Sequence, residues 1–189
     1  MQFTITSAVT LLAFASSAAA SPLAARQDAL QDWQVTDLAV SVPMGRPGSY
    51  PWGTLKANIT DPNAINLGTS SDGSQMIVPA GSKGVNCEAK WYINGNSPIG
   101  RAWPCDATSN GYWFMHVYEG TNGFSSSNFD LKFTRVAEKI YLDTQYKATF
   151  EAKGHFDSRG ALGGVCSAGE CNWGLLQSKK PFKITPLKA

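Results

Sequence analysis

Charged residues and histidines are scarce in this chain, and each scarcity argues against a class of function. Lysine, arginine, aspartate and glutamate make up 16% of the 189 residues, and the formal net charge is +2. Such a balance gives no reason to expect nucleic-acid binding. The two histidines, His116 and His155, both fall on the outward sets of their predicted strands. No Gly-x-Ser-x-Gly turn or phosphate-cradling glycine loop occurs. We therefore expect no catalytic residue, no cofactor and no metal.

Long apolar runs are also missing after the first residues of the chain. The one such run, Phe3 to Phe14, is too short to span a bilayer comfortably and leads into the small residues Ala15 to Ala20. This pattern predicts a signal peptide over residues 1–20, with cleavage after Ala20. Residues 21–32 then form a flexible lead-in, with Arg26 as a second candidate cleavage site. We expect a secreted, extracellular protein with no membrane contact.

The chain has four cysteines, which in an oxidising compartment predicts disulfides with three alternative connectivities. We favour the local pairs Cys87–Cys105 and Cys166–Cys171, worth about 3 and about 2 kcal/mol by chain entropy. A four-cysteine zinc site is the alternative. It would need two closely spaced pairs, and the distance in sequence from Cys87 to Cys105 does not provide one.

Apolar and polar residues alternate through most of the chain, which predicts β-strands with one buried face. A one-residue slip in the first strand, at Thr36–Asp37, predicts a β-bulge. Turn-forming residues separate the strands. We therefore predict an all-β domain over residues 33–187, either a single antiparallel β-barrel or a strongly curled sandwich. The predicted inward residues are Trp33, Val35, Leu38, Val40, Val42, Leu55, Ala57, Ile59, Val85, Cys87, Ala89, Trp91, Trp113, Met115, Val117, Phe129, Leu131, Phe133, Tyr146, Ala148, Phe150 and Ala152.

The six tryptophans fall into two groups. Trp33, Trp91 and Trp113 belong to inward sets and are predicted core residues, whereas the other three lie beside turns or cysteines. An aromatic ring in such a place either closes an end of the fold or stacks on a sugar or flat phenolic ligand. The candidate ligand-binding residues are Trp52, Trp103, Arg46 and Arg101, the arginines as partners for an anionic group.

Asn58-Ile59-Thr60 is the one acceptor sequon for N-glycosylation in the sequence. Asn58 shares its strand face with Lys56 and Thr60, which places it on the solvent side. We predict a glycan at Asn58.

Several short motifs follow one another along the chain: Trp33 to Leu38, Gly45 to Trp52, Asn58 to Asn63, Cys87 to Trp91, Asn128 to Leu131, Gly154 to Phe156, and Cys166 to Gly174. In this order they resemble small secreted fungal proteins related to the Alternaria major allergen. The resemblance covers roughly Trp33 to Leu187 and depends on motif order and cysteine placement.

This resemblance implies a secreted fungal β-barrel with two internal disulfides and no established enzymatic activity. It implies a role as effector, elicitor or allergen, through binding of a small phenolic ligand or a host defence protein. The founding allergen has a further cysteine that links two barrels, which this chain lacks. We expect a monomer or weak non-covalent dimer. A cell-wall carbohydrate-binding protein and a hydrolase with dispersed carboxylates are the alternatives.

Overall fold

The computed structural model describes residues 29–45, 48, 50–95 and 97–189. The predicted signal peptide, Arg26 and Arg46 lie outside these residues. The all-β prediction is confirmed, and the first strand begins at Trp33. The strands are β1 (Trp33–Pro43), β2 (Trp52–Asp61), β3 (Ile65–Thr69), β4 (Gln75–Val78), β5 (Ser82–Tyr92), β6 (Ala102–Pro104), β7 (Gly111–Glu119), β8 (Asn128–Tyr141), β9 (Thr144–Asp157), β10 (Leu162–Ser167), β11 (Glu170–Leu175), β12 (Phe182–Ile184) and β13 (Leu187–Lys188), with a 3₁₀ turn at Gln177–Lys179.

Two antiparallel sheets and a small hairpin make up this architecture. One sheet has the order β10-β11-β1-β2-β5, with β12 also paired to β1, and the other has the order β13-β9-β8-β7-β6. Strands β3 and β4 form the hairpin. Neither sheet closes on itself, so the β-barrel alternative is wrong and the sandwich alternative describes the fold. Among the described residues, no helix combines the length and hydropathy that a transmembrane span needs.

The core lies between the two sheets and draws its side chains from both. Trp33 of β1 meets Trp113 of β7 edge to face, with ring centroids 4.7 Å apart. Phe156 of β9 lies against Phe182 of β12, with centroids 4.8 Å apart. The predicted core tryptophans are confirmed, because Trp33, Trp91 and Trp113 are all buried. Alternation along each strand therefore gives each sheet an inner apolar face and an outer polar one.

A disulfide joins the two sheets where their edges approach. Cys87 belongs to β5 of the six-stranded sheet, and Cys105 directly follows β6 of the five-stranded sheet. Next to this bridge, the amide of Asp106 donates to the carbonyl of Val85 at 2.8 Å. The second disulfide, Cys166–Cys171, links β10 to β11 across their hairpin. Both predicted pairings are confirmed and no cysteine is free, so the zinc alternative is wrong.

Two irregularities decide which residues of the six-stranded sheet point inward. The bulge predicted in β1 is confirmed as a register shift between Val35 and Asp37. A second shift separates β2 and β5 near Asn86, whose φ is +51°. It turns Val85 outward, so Val85 is exposed and its predicted inward position is wrong.

A buried ion pair interrupts the apolar core. Arg135 follows Phe133 on the inward side of β8 and pairs with Asp61 at the end of β2, and each side chain is only 1% exposed. Asp61 also accepts hydrogen bonds from the backbone and side-chain amides of Asn63, at 2.8 and 2.7 Å. The Arg135 guanidinium lies 5.8 Å from the centroid of the Trp113 ring. A buried charge of this kind needs such a partner, because solvent cannot stabilise it.

The turn between β8 and β9 has an unfavourable backbone conformation. Leu142 and Asp143 both have positive φ, at +47° and +58°. Tyr141 pairs with Thr144 on either side, so these are the two central residues of a tight hairpin. Asparagine and glycine are the usual residues in such a turn, since a Cβ atom makes this conformation costly.

Candidate functional site

The outer face of the six-stranded sheet presents a group of exposed aromatic side chains. The strand register pairs Trp52 of β2 with Tyr92 of β5. Two residues further along both strands, it pairs Thr54 with Lys90. Tyr50 lies just before β2 and is 60% exposed, while Trp52 and Tyr92 are 38% and 37% exposed. We call Tyr50, Trp52, Lys90 and Tyr92 the aromatic cluster.

Contacts among its own members hold the aromatic cluster in place. The Trp52 and Tyr92 rings meet edge to face, with centroids 5.7 Å apart and planes at 68°. The Lys90 ammonium lies 5.6 Å from the centroid of each of the Tyr50 and Trp52 rings. Each such contact is worth about 0.5–1 kcal/mol at an exposed site. The cluster lies on or next to two paired strands, and all three of its rings are partly open to solvent.

Lys90 is the cationic centre of the aromatic cluster. A hydrogen bond with the Tyr50 hydroxyl raises the pKa of Lys90 above its usual value, so the ammonium remains charged. Lys56, two strand positions away from Thr54, is paired with Glu88 at 3.3 Å. Among the described residues, no carboxylate lies within ion-pair distance of Lys90. This ammonium is therefore available to an anionic group that approaches the rings.

A shallow groove lies beside the aromatic cluster on the same face. Its volume is about 340 Å³, and its floor is formed by small residues of three neighbouring strands. Register places Gly174 beside Ala39, and Asn172 beside Ser41, which in turn faces Thr54. We call this depression the outer groove; its lining includes Ala39, Ser41, Thr54, Lys56, Asn172 and Gly174.

Apolar surface makes up most of the lining of the outer groove, and a few hydrogen-bonding groups lie within it. The Ser41 hydroxyl donates to the carboxylate of Glu170, leaving the serine oxygen free to accept. The exposed amide of Asn172 provides both donors and an acceptor. One row of side chains crosses four strands, from Asn172 through Ser41 and Thr54 to Lys90. The groove and the aromatic cluster thus form one continuous surface.

The structure does not bring together Trp52, Trp103 and Arg101, the three predicted ligand-binding residues that it describes. Trp52 belongs to the aromatic cluster, but Trp103 lies on β6 of the other sheet. Trp103 is half-buried against the core, and its indole donates to the Pro98 carbonyl at 3.0 Å. The Arg101 guanidinium lies 5.8 Å from the centroid of the Trp103 ring. These contacts favour the interpretation that Trp103 closes an end of the fold.

Sequence reasoning missed three members of the aromatic cluster. Lys90 and Tyr92 fall on the predicted outward set of their strand, which is a signal that they reach solvent. The sequence alone does not show the strand register that brings Tyr92 beside Trp52. Tyr50 lies in a turn-forming segment, where no periodicity indicates the direction of a side chain.

The outer face of the five-stranded sheet contains a group of charged side chains that pair with one another. Lys132 lies 3.0 Å from Glu151, and this hydrogen bond lowers the pKa of Glu151. Asp130 lies 2.8 Å from Lys153 and 2.6 Å from His155. Burial opposes ionisation of Asp130, but the hydrogen bonds from Lys153 and His155 outweigh it and hold its pKa below the usual value.

The two histidines both lie on the five-stranded sheet, His116 on β7 and His155 on β9. His116 is half-buried on β7, and burial together with the neighbouring Lys132 lowers its pKa. His155 is exposed and paired with Asp130, as stated above. In the part of the chain that the structure describes, no three metal-ligating side chains are grouped closely enough to hold an ion.

Asn58, the predicted glycosylation site, lies in the middle of β2 and is partly exposed. Its amide oxygen accepts a hydrogen bond from the backbone of Asn86 at 2.9 Å. A glycan would be attached through the amide nitrogen, which leaves that oxygen free to keep its contact. Glycosylation at Asn58 stays a prediction.

Comparison with known proteins adds no relative to this picture. No protein-family model, no curated protein and no solved structure matches the chain.

Proposed function

We propose that this chain is a secreted, non-catalytic fungal protein that acts by binding at the boundary between the fungus and its host or environment. The observation that carries the proposal is the aromatic cluster, which combines three exposed rings with an ammonium that has no carboxylate partner among the described residues. Exposed tryptophan and tyrosine side chains lower the solubility of a protein, and a group of them is characteristic of a binding surface.

The covalent structure supports an extracellular setting for this activity. Both disulfides need an oxidising compartment to form and persist. The apolar start of the chain is typical of a secretory signal, and the motif order resembles that of secreted fungal proteins. All four cysteines are used in internal bridges, so none provides a thiol nucleophile.

The chemistry of the aromatic cluster favours flat or anionic partners. A phenolic ring would stack on Trp52 or Tyr92, and a phenolate or carboxylate would meet the Lys90 ammonium. A host defence protein with an exposed acidic loop would use the same two features. Both partners predict that Trp52 contributes most of the binding energy.

Leaf infiltration with purified protein tests this function. The wild-type protein is expected to trigger ion leakage or an oxidative burst, and Trp52→Ala combined with Tyr92→Ala is expected to abolish the response. Tyr112→Ala is the matched control, because Tyr112 is equally exposed but lies on the other sheet. Absence of any response to wild-type protein in several plant species would contradict a defence-triggering role.

A further inference from the structure

The outer groove and the aromatic cluster together suit a different class of ligand from the one that suits the aromatic cluster alone. We propose that the outer groove and the aromatic cluster together bind an oligosaccharide, with one pyranose ring stacked on Trp52. This inference rests on the proposed binding function and names the ligand class of the same surface. Three independent features of the surface carry it: its shape, its hydrogen-bonding groups and its charge.

The shape of the groove suits an extended chain of rings lying across the strands. Its volume of about 340 Å³ is in the range of small-molecule sites, and its floor of alanine, serine and glycine lets a ligand approach the backbone. Neighbouring strands are about 4.8 Å apart, so the row from Asn172 to Lys90 spans about 14 Å across four strands. That length exceeds a single sugar ring, so more than one ring contacts the protein.

The hydrogen-bonding groups of the groove match sugar hydroxyls, which both donate and accept. The Asn172 amide and the Thr54 hydroxyl can do both. The Ser41 hydroxyl, which donates to Glu170, can still accept. A purely apolar ligand would leave these groups unpaired on binding, which would weaken its affinity.

The aromatic and ionic features complete the match. The axial C–H groups on one face of a pyranose ring are apolar and pack on an indole face, as apolar groups do elsewhere on aromatic rings. Trp52 lies on the same strand face as Thr54, two residues before it on β2, and Thr54 lines the groove. Lys90, lying over Trp52 without a carboxylate partner among the described residues, would pair with the carboxylate of a uronic acid. We therefore expect acidic oligosaccharides to bind more tightly than neutral ones.

Titration calorimetry with two defined probes tests the proposal, one a galacturonic acid oligomer and the other a cellulose-derived oligomer of the same length. Both are expected to bind, the acidic one more tightly. Trp52→Ala should weaken binding of both by about tenfold, a loss of about 1.4 kcal/mol. Lys90→Gln should weaken binding of the acidic oligomer more than binding of the neutral one, because it removes the charge that pairs with a uronic acid carboxylate. Tyr112→Ala, on the opposite sheet, should change neither affinity.

Folding of each variant is checked by its thermal unfolding. Asn172→Ala serves as a second probe because Asn172 is exposed and lines the outer groove. Binding that depends on both Trp52 and Asn172 supports the proposal. Absence of binding by either oligomer, or affinity unchanged in Trp52→Ala and Asn172→Ala, would overturn it. If these titrations fail while Trp52→Ala and Tyr92→Ala still abolish the leaf response, the proposed function stands and only the saccharide assignment falls.

Discussion

Replacing Asp61 with asparagine should destabilise this protein far more than any surface substitution. The change keeps the shape of the side chain but removes the charge that faces Arg135. It also turns an amide donor toward the guanidinium, because the other oxygen of Asp61 already accepts from Asn63. Arg135 would remain charged and buried without a counterion. Its Nε and Nη2 atoms already have no hydrogen-bond partner among the described residues.

Breaking a buried pair in this way costs about 3–5 kcal/mol, which is a large part of a typical total stability of about 5–15 kcal/mol. Urea unfolding followed by tryptophan fluorescence measures the loss, and Trp113 reports on the site itself since its ring is 5.8 Å from the guanidinium. Urea is preferred to guanidinium chloride because urea does not screen the ion pair.

A matched surface variant provides the control. Asp37 pairs with Lys180 at 2.6 Å, but both side chains are partly exposed. Asp37→Asn should therefore cost less than about 1 kcal/mol. The double variant Asp61→Leu, Arg135→Met should be more stable than Asp61→Asn, because it leaves no unpaired buried charge. A loss in Asp61→Asn no larger than that in Asp37→Asn would refute the reasoning.

Three further predictions concern pH, cross-linking and the hairpin turn. Folding lowers the pKa of His116, so the unfolded chain takes up the proton first as the pH falls. The free energy of unfolding of the protein should therefore decrease below about pH 6.5. His116→Gln should flatten that part of a plot of unfolding free energy against pH. Replacing both cysteines of Cys87–Cys105 with serine should lower the free energy of unfolding by about 3 kcal/mol, and the same change at Cys166–Cys171 by about 2 kcal/mol. The difference arises because the sequence separations are 18 and 5. Equal shifts in the urea midpoint would contradict this chain-entropy argument. Leu142→Asn combined with Asp143→Gly should raise the free energy of unfolding by about 1 kcal/mol by relieving positive φ, and a lower melting temperature in calorimetry would count against this.

Local alternation was enough to predict the strands and most of the core. Leu55, Ala57 and Ile59 are buried as their spacing indicates, and so are Trp113, Met115 and Val117. The bulge at Thr36–Asp37 could be predicted for the same reason, because a bulge shifts the alternation of apolar and polar residues by one position. The disulfide pairs followed from sequence proximity.

Features that depend on which strands are neighbours could not be predicted in this way. Val85 follows the apolar pattern, yet the irregular pairing at Asn86 turns it to solvent. Arg135 continues the inward set of β8, but its burial could not be predicted without knowing that Asp61 lies opposite and neutralises its charge. The choice between barrel and sandwich depends on whether the last strands pair, and no local signal decides that.

The same reasoning explains the outcome for the candidate site. Trp52 was singled out by its place beside a turn, whereas its partners depend on cross-strand register. The outer groove depends on the small side chains of Ala39, Ser41 and Gly174, which come from two distant parts of the sequence. A depression of this kind becomes visible only when the strands are assembled.

The covalent link between β5 and the residue after β6 has a consequence for where this protein can persist. Two open sheets leave lateral strands with unpaired backbone groups, and such strands recruit further chains when they become accessible. Cys87–Cys105 keeps the β5 border against its neighbour. In a reducing environment that border would be released, and its unpaired backbone groups would become available to pair with strands of other chains.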